Sequence, residues 1–250
     1  MKKKNISAVL GFLLCFSLGG VAYAASSVAG DTIDYDFRSG QTVAVGNVVL
    51  NNNEGTAKAA RAEYNTKTEA GRLIGGVVAV QGEAKINCNV LVIHAGGDQL
   101  TAIGNAILQK QGKVLRAEQV EYFQSRQYME TAGSWARLTM DDGQSNLEAG
   151  YINYNMKTGI ANAQGNVNID SPARKLTASG ERAVYNTNED DGTIEIIGNA
   201  TATQDGNTVS GNSLKLRGAG GSIAEANGNV HLVYVPKPQT QATKQETLEA

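Results

Sequence analysis

Two histidines, Cys88, two acidic runs and a glycine-rich string are the residues of this 250-residue chain, beyond its apolar N-terminal stretch, that could do chemistry. A histidine base needs its partner within hydrogen-bond reach, yet His94 and His231 stand 137 residues apart. His231 also falls on a polar outer face, beside a strand end. Cys88 has the parity opposite to Leu91 and Ile93, which predicts an outward thiol, and no neighbouring histidine or basic pair is present to activate it. Asp141-Asp142 and Glu189-Asp190-Asp191 lack the regular ligand spacing of a calcium loop and read as solvated turns. Gly218-Ala219-Gly220-Gly221 precedes a strand pattern, not a helix, so it is not a phosphate loop. The expectation is a chain with no catalytic residue, no metal and no cofactor.

The elements that position these residues are announced by a period. Gly46, Gly75, Gly104, Gly133, Gly165, Gly198 and Gly228 follow at intervals of 29, 29, 29, 32, 33 and 30 residues. Most begin a Gly-Asn pair set between alternating apolar runs, as in AVGNVVL (44–50) and TAIGNAILQ (101–109). A second marker, Tyr35, Tyr64, Ile93, Tyr122, Tyr154, Tyr185 and Leu216, keeps nearly the same beat. Two markers in one phase mean a stack of similar supersecondary units.

Each unit reads as two strands of roughly ten residues joined by short turns, and so largely antiparallel, about fourteen strands in all. Period-two alternation assigns an apolar inner face. Counting from each glycine, that face holds Val48, Leu50, Val77, Ala106, Leu108, Val167, Ile169, Val230 and Leu232; on the second strands it holds Leu91, Ile93, Tyr122, Ile152, Tyr154, Tyr185, Leu214 and Leu216. The unit at Gly133 is irregular, with Trp135 in the first inner position and Arg137 in the second, and a bulge shifting the register to Leu138 is the simplest reading. The recurring glycine marks a bend where the sheet folds over. Short aliphatic side chains on the inner face allow either a dry core or a continuous apolar slot.

The first 24 residues read as a cleaved secretory leader: Lys2, Lys3 and Lys4, an apolar stretch, then Ala22-Tyr23-Ala24. A repeat domain over 25–235 and a disordered polar tail over 236–250 follow. Without the leader, 19 basic face 24 acidic residues, a formal charge of about −5, which does not supply the field that nucleic-acid binding needs. Cys88 is then the sole cysteine, so no internal disulfide forms.

These phrases resemble the LptA/OstA family of periplasmic lipopolysaccharide-transport proteins. The resemblance rests on VQGEAKINCNVLVI (80–93) and GNAILQKQGKVLRAEQVEYFQSRQ (104–127), and it extends over the chain beyond the leader. It implies an all-β, elongated, twisted antiparallel β-jellyroll of about seven two-strand repeats, whose interior holds the acyl chains of lipid A, with Trp135 and the inner positions above as the lipid-binding lining. It further implies a periplasmic carrier or bridge that joins other OstA-like domains by edge-strand pairing, with Thr32 to Phe37 and Gly228 to Val235 as the edges and head-to-tail self-association as one form. A secreted structural β-solenoid with a dry core, an adhesin or stalk, is the alternative.

Overall fold

Among the described residues, alternating sequence becomes a single sheet of seventeen strands. The computed structural model describes residues 27–51, 55–96, 98–110, 112–123, 125–139, 144–186, 193–217 and 222–236. The expected leader, the acidic turns at 141–142 and 189–191, the string 218–221 and the tail after Pro236 lie outside the described residues. β1 (Ser27–Ala29) and β2 (Thr32–Asp36) form the first rung, and β16 (Ser222–Asn227) and β17 (His231–Val233) the last. Between them come β3 (Gln41–Asn51), β4 (Gly55–Asn65), β5 (Ala70–Gln81), β6 (Ala84–Ile93), β7 (Gln99–Lys110), β8 (Lys113–Phe123) and β9 (Tyr128–Thr139). A broken rung, β10 (Asn146–Ala149) with β11 (Tyr151–Asn155), leads to β12 (Ile160–Ser171), β13 (Leu176–Asn186), β14 (Thr193–Gln204) and β15 (Asn207–Arg217). With each broken pair taken as one, fourteen rungs stack in chain order, each antiparallel to the next.

Every rung bends at its middle, and glycine is the cause. All seven recurring glycines have positive φ, and after six of them the next residue does too: Asn47, Gly76, Asn105, Asn166, Asn199 and Asn229. Two successive left-handed residues turn the strand sharply, a conformation that glycine and asparagine adopt with least cost. Opposite each pair the neighbouring strand has a single residue, as between Val45/Val48 and Arg61/Ala59, so the bends are aligned bulges. The aligned bulges make a spine, and the sheet folds along it into two wings. The first wing contains β2, β11 and β16, the second β1, β10 and β17, and each long strand runs through both.

Hairpin turns form the free rim of each wing. On the first, Asn65 Oδ1 accepts from the N–H groups of Lys67 and Thr68, and Asn155 repeats this with Lys157 and Thr158. On the second, Asp205 and Gly206 both take the positive φ that a two-residue hairpin requires. Turn-to-turn backbone hydrogen bonds stay within one rim: Gly96 N–H to the Thr68 carbonyl and Met156 N–H to Gln127 on the first, Asp205 N–H to Lys175 on the second. The wings are thus joined covalently through the spine, and no hairpin connects their rims among the described residues.

The core lies between the wings. Of the inner residues expected from the sequence, Val48, Val77, Leu91, Ile93, Ala106, Leu108, Tyr122, Ile152, Tyr154, Val167, Ile169, Leu214 and Leu216 are buried. Leu50 and Tyr185 are half-buried. Three expectations fail. Trp135 is 43% exposed, because β9 carries three residues in its bulge (133–135) against Glu118 alone, so Ala136 takes the inner place. Val230 and Leu232 are 52% and 66% exposed: Leu232 sits opposite buried Val209 but has no further rung to cover it. Cys88 is a fourth correction. It is buried beside Val77, not outward, because β6 sets only Asn89 against the Gly75-Gly76 pair of β5, so parity reverses between Cys88 and Leu91. Leu138 and Arg137 fall as the bulge reading had them, Leu138 packed against the core and Arg137 outward in an ion pair with Glu148.

Candidate functional site

The register turns the inner faces into continuous rows. In the first wing, Tyr64, Gly71, Ile93, Leu100, Tyr122, Met129, Tyr154, Ala161, Tyr185, Ile194 and Leu216 succeed one another across adjacent rungs. This is the tyrosine marker of the sequence, alternating with a partner from each intervening strand. Gly71 is required here, since a side chain on it would strike the Tyr64 ring. Nearer the spine, Ala62, Leu73, Leu91, Ala102, Val120, Thr131, Ile152, Ala163, Ala183, Ile196 and Leu214 form a second row. The one hydroxyl in that row is satisfied: Ile152 N–H donates to Thr131 Oγ1 at 2.9 Å.

The second wing contributes a row of small residues by the spine, including Val77, Cys88, Ala106, Ala117, Ala136 and Ala200. A bulkier row toward its rim includes Ile86, Leu108, Leu115, Leu147 and Ile169. Sequence reasoning missed Ile86, Leu115 and Leu147, all in strands whose parity flips at the bulge. The signal that could have found them is the first half of each such strand taken with its own alternation.

The two faces meet. Inner side chains of both wings are 9% exposed or less over most of the length, so in this state the interior is closed. Tyr122 and Tyr154 of the outer row are buried, whereas Tyr64 and Tyr185 are half-buried, the setting in which a ring can bury its face and keep its hydroxyl near water. Tyr64 shows that position: partial burial, then the charge of Glu69, hold its hydroxyl above the ordinary tyrosine value. The interior carries no charged side chain among the buried residues; its polar members are threonines and serines such as Ser145 and Ser171, whose hydroxyls lie 2.7 Å apart.

Charge is confined to the outside. Glu63 accepts from Arg61 and Arg72, and those bonds, Arg72 first, hold its carboxyl below the usual glutamate range. The Tyr128 and Tyr151 hydroxyls both donate to Glu130. His94 Nε2 lies 2.9 Å from Thr101 Oγ1, and His231 is exposed at the last rung. Burial pushes the Cys88 thiol up to about 11, the opposite of an activated nucleophile. Among the described residues no cluster of three or more His, Cys, Asp or Glu is placed to hold a metal ion, and no helix is long and apolar enough to cross a membrane.

A family model described as LptA/(LptD N-terminal domain) LPS transport protein matches residues 56–160 and again 97–219. Two overlapping matches are what a repeat produces, since one model fits in two phases. A solved structure titled as LptH, the LptA-homologous periplasmic component of the lipopolysaccharide transport device of Pseudomonas aeruginosa, is 14% identical, with 85% of this chain and 96% of that chain covered and a TM-score of 0.17. No curated protein matches.

Proposed function

This chain belongs to the LptA/LptD N-terminal domain family of lipopolysaccharide-transport proteins, and from that premise we propose that it is a periplasmic bridge subunit which shields lipopolysaccharide acyl chains between its two wings. The observation that carries the reading is the pair of apolar faces, continuous from β3 to β15 and joined through the spine among the described residues. Thirteen spacings of ~4.8 Å give a slot of about 60 Å. Burying a methylene is worth about 0.8 kcal/mol, so a twelve-carbon chain gains roughly 9 to 10 kcal/mol by leaving water. A guest enters by parting the rims. Side-chain contacts between wings are then exchanged for contacts with acyl chains, so apolar surface stays out of water and the exchange costs far less than exposing either wing.

No chemistry is assigned to the chain: it holds and passes on, and the energy for movement comes from elsewhere. Its partners in this reading are lipid A and other domains of the same fold, paired at the terminal rungs. The closed interior also fits the dry-core stalk, and one experiment separates the two. A photocrosslinking residue at Leu108 or Ile169 in cells that make lipopolysaccharide is expected to label the lipid, and one at Asn168 or Lys85 on the outer faces is not. Absence of label from several inner positions of a folded, exported protein, together with no lipid in protein purified without detergent, would leave the stalk.

A further inference from the structure

The fourth repeat departs from the others at the spine, and the departure makes a cavity. In three repeats the side chain laid over the glycine is held by the asparagine that follows that glycine: Asn47 donates to Asp31, Asn199 to Glu181 and Asn229 to Asn212. Glu118 takes the same place over Gly133. The next residue there is Ser134, which lacks the left-handed conformation found after the other six glycines. The longer bulge extrudes Trp135 onto the outer surface. Beside it lies a partly open depression of about 310 Å³ lined by Trp135, Ser134, Glu118, Arg116 and Asn105, with Ile107 and the strand segments at Ala106 and Ala117 completing the lining.

We propose that this depression binds a pyranose saccharide, with the apolar face of the ring on Trp135 and its hydroxyls bridged to Arg116 and Glu118. An exposed indole offers a flat apolar surface that a sugar face can cover. Arg137, tied to Glu148, lies with Cζ 5.6 Å from the ring centroid and steadies the platform from one side. A guanidinium supplies donors in a rigid fork and a carboxylate supplies only acceptors, the complement that neighbouring hydroxyls need. Neither the Arg116 guanidinium nor the Glu118 carboxylate has a hydrogen bond or ion pair among the described residues, so both groups are available. The volume sits at the small end of ligand sites, about 300 to 1,000 Å³, which suits one or two sugar rings and not a lipid with several chains. The site opens on the spine and the outer face of the second wing, away from the interior. Its occupant is therefore presented from outside, and the proposal stands apart from the carrier reading.

Two sources share this chemistry: the saccharide of a lipopolysaccharide held by another molecule, and the glycan of the cell wall. Trp135 is the only tryptophan of the chain, so its fluorescence reports this site alone. Protein lacking residues 1–24 is titrated with acyl-free oligosaccharide from lipopolysaccharide and, separately, with soluble cell-wall glycan fragments. A saturable shift in emission with either is expected, and the arm that saturates names the source. Arg116→Ala and Glu118→Gln, with unchanged circular dichroism, are each expected to weaken binding about tenfold. Trp135→Ala, followed by calorimetry, is expected to abolish it. Emission that fails to saturate with both ligands at about 1 mM, or affinities that the three substitutions leave unchanged, would overturn the proposal. Acyl-free ligands keep this result independent of whether the interior takes up lipid.

Discussion

At the scale of single residues, the glycines of the spine meet two demands at once. Gly46 has a φ of +76°, and the Asp31 carboxylate lies where its side chain would be. Gly82, in the β5–β6 turn, has a φ of +53° and open space around it. Alanine in the left-handed region costs about 1 to 2 kcal/mol. Gly82→Ala is therefore expected to lose about that much, and Gly46→Ala distinctly more, because Asp31 and its bond to Asn47 must also move. Urea midpoints at constant slope would measure both; equal losses would mean that Asp31 yields freely and that backbone conformation alone keeps the glycine. The period of these glycines was legible in the chain, as was the bulge that leaves Arg137 outside. Trp135 was misplaced because the number of residues in a bulge is fixed by the partner strand, here by Glu118, and alternation counted from the glycine does not include it.

Among the elements, the bent strands come in two kinds, and only one preserves parity through the bend. In β3, Ala44 and Val48 are both buried and an odd number of residues separates them; in β4, Ala59 and Ala62 are buried with two between. That difference reversed the expectation for Cys88 and hid half of the second wing's lining. The corrected place of Cys88 gives a direct measure of wing opening. Its thiol is covered and stays protonated at pH 8, since burial raises its value to about 11. In protein without residues 1–24, where it is the sole cysteine, alkylation by iodoacetamide at pH 8 is expected to be far slower than for the same chain in urea. Labelling of the folded protein at the unfolded rate would show that the wings part readily without a guest. Protection restored by acyl chains in a destabilised variant would place those chains between the wings.

For the whole molecule, the stack has two ends and nothing described covers either. β2 is exposed throughout and pairs only with β3; β17 is exposed and pairs only with β15. Phe37 is 87% exposed at one end, and Leu232 and Tyr234 are 66% and 67% exposed at the other. Unpaired strand edges flanked by large apolar side chains favour addition of a further strand. Sedimentation velocity is expected to show association that grows with concentration, and Leu232→Lys with Val233→Lys to reduce it. A monomer at every concentration, or association indifferent to both lysines, would count against pairing through the last rung. Ends that join while the interior stays continuous would extend one slot into the next, which is the property a bridge longer than about 60 Å requires.

Local pattern determined the rungs, their number, the bend at each glycine and the row that runs through Tyr64, Tyr122 and Tyr154, because the pleat of a strand and the left-handed preference of Gly-Asn act over a few residues. Contacts between strands decided the rest: that the wings close on each other, that Cys88 lies inside, that Leu232 is left bare, and that Glu118 and Trp135 frame a depression. Each of these depends on what a neighbouring strand places opposite, and no period written along one strand encodes the residue count of the next.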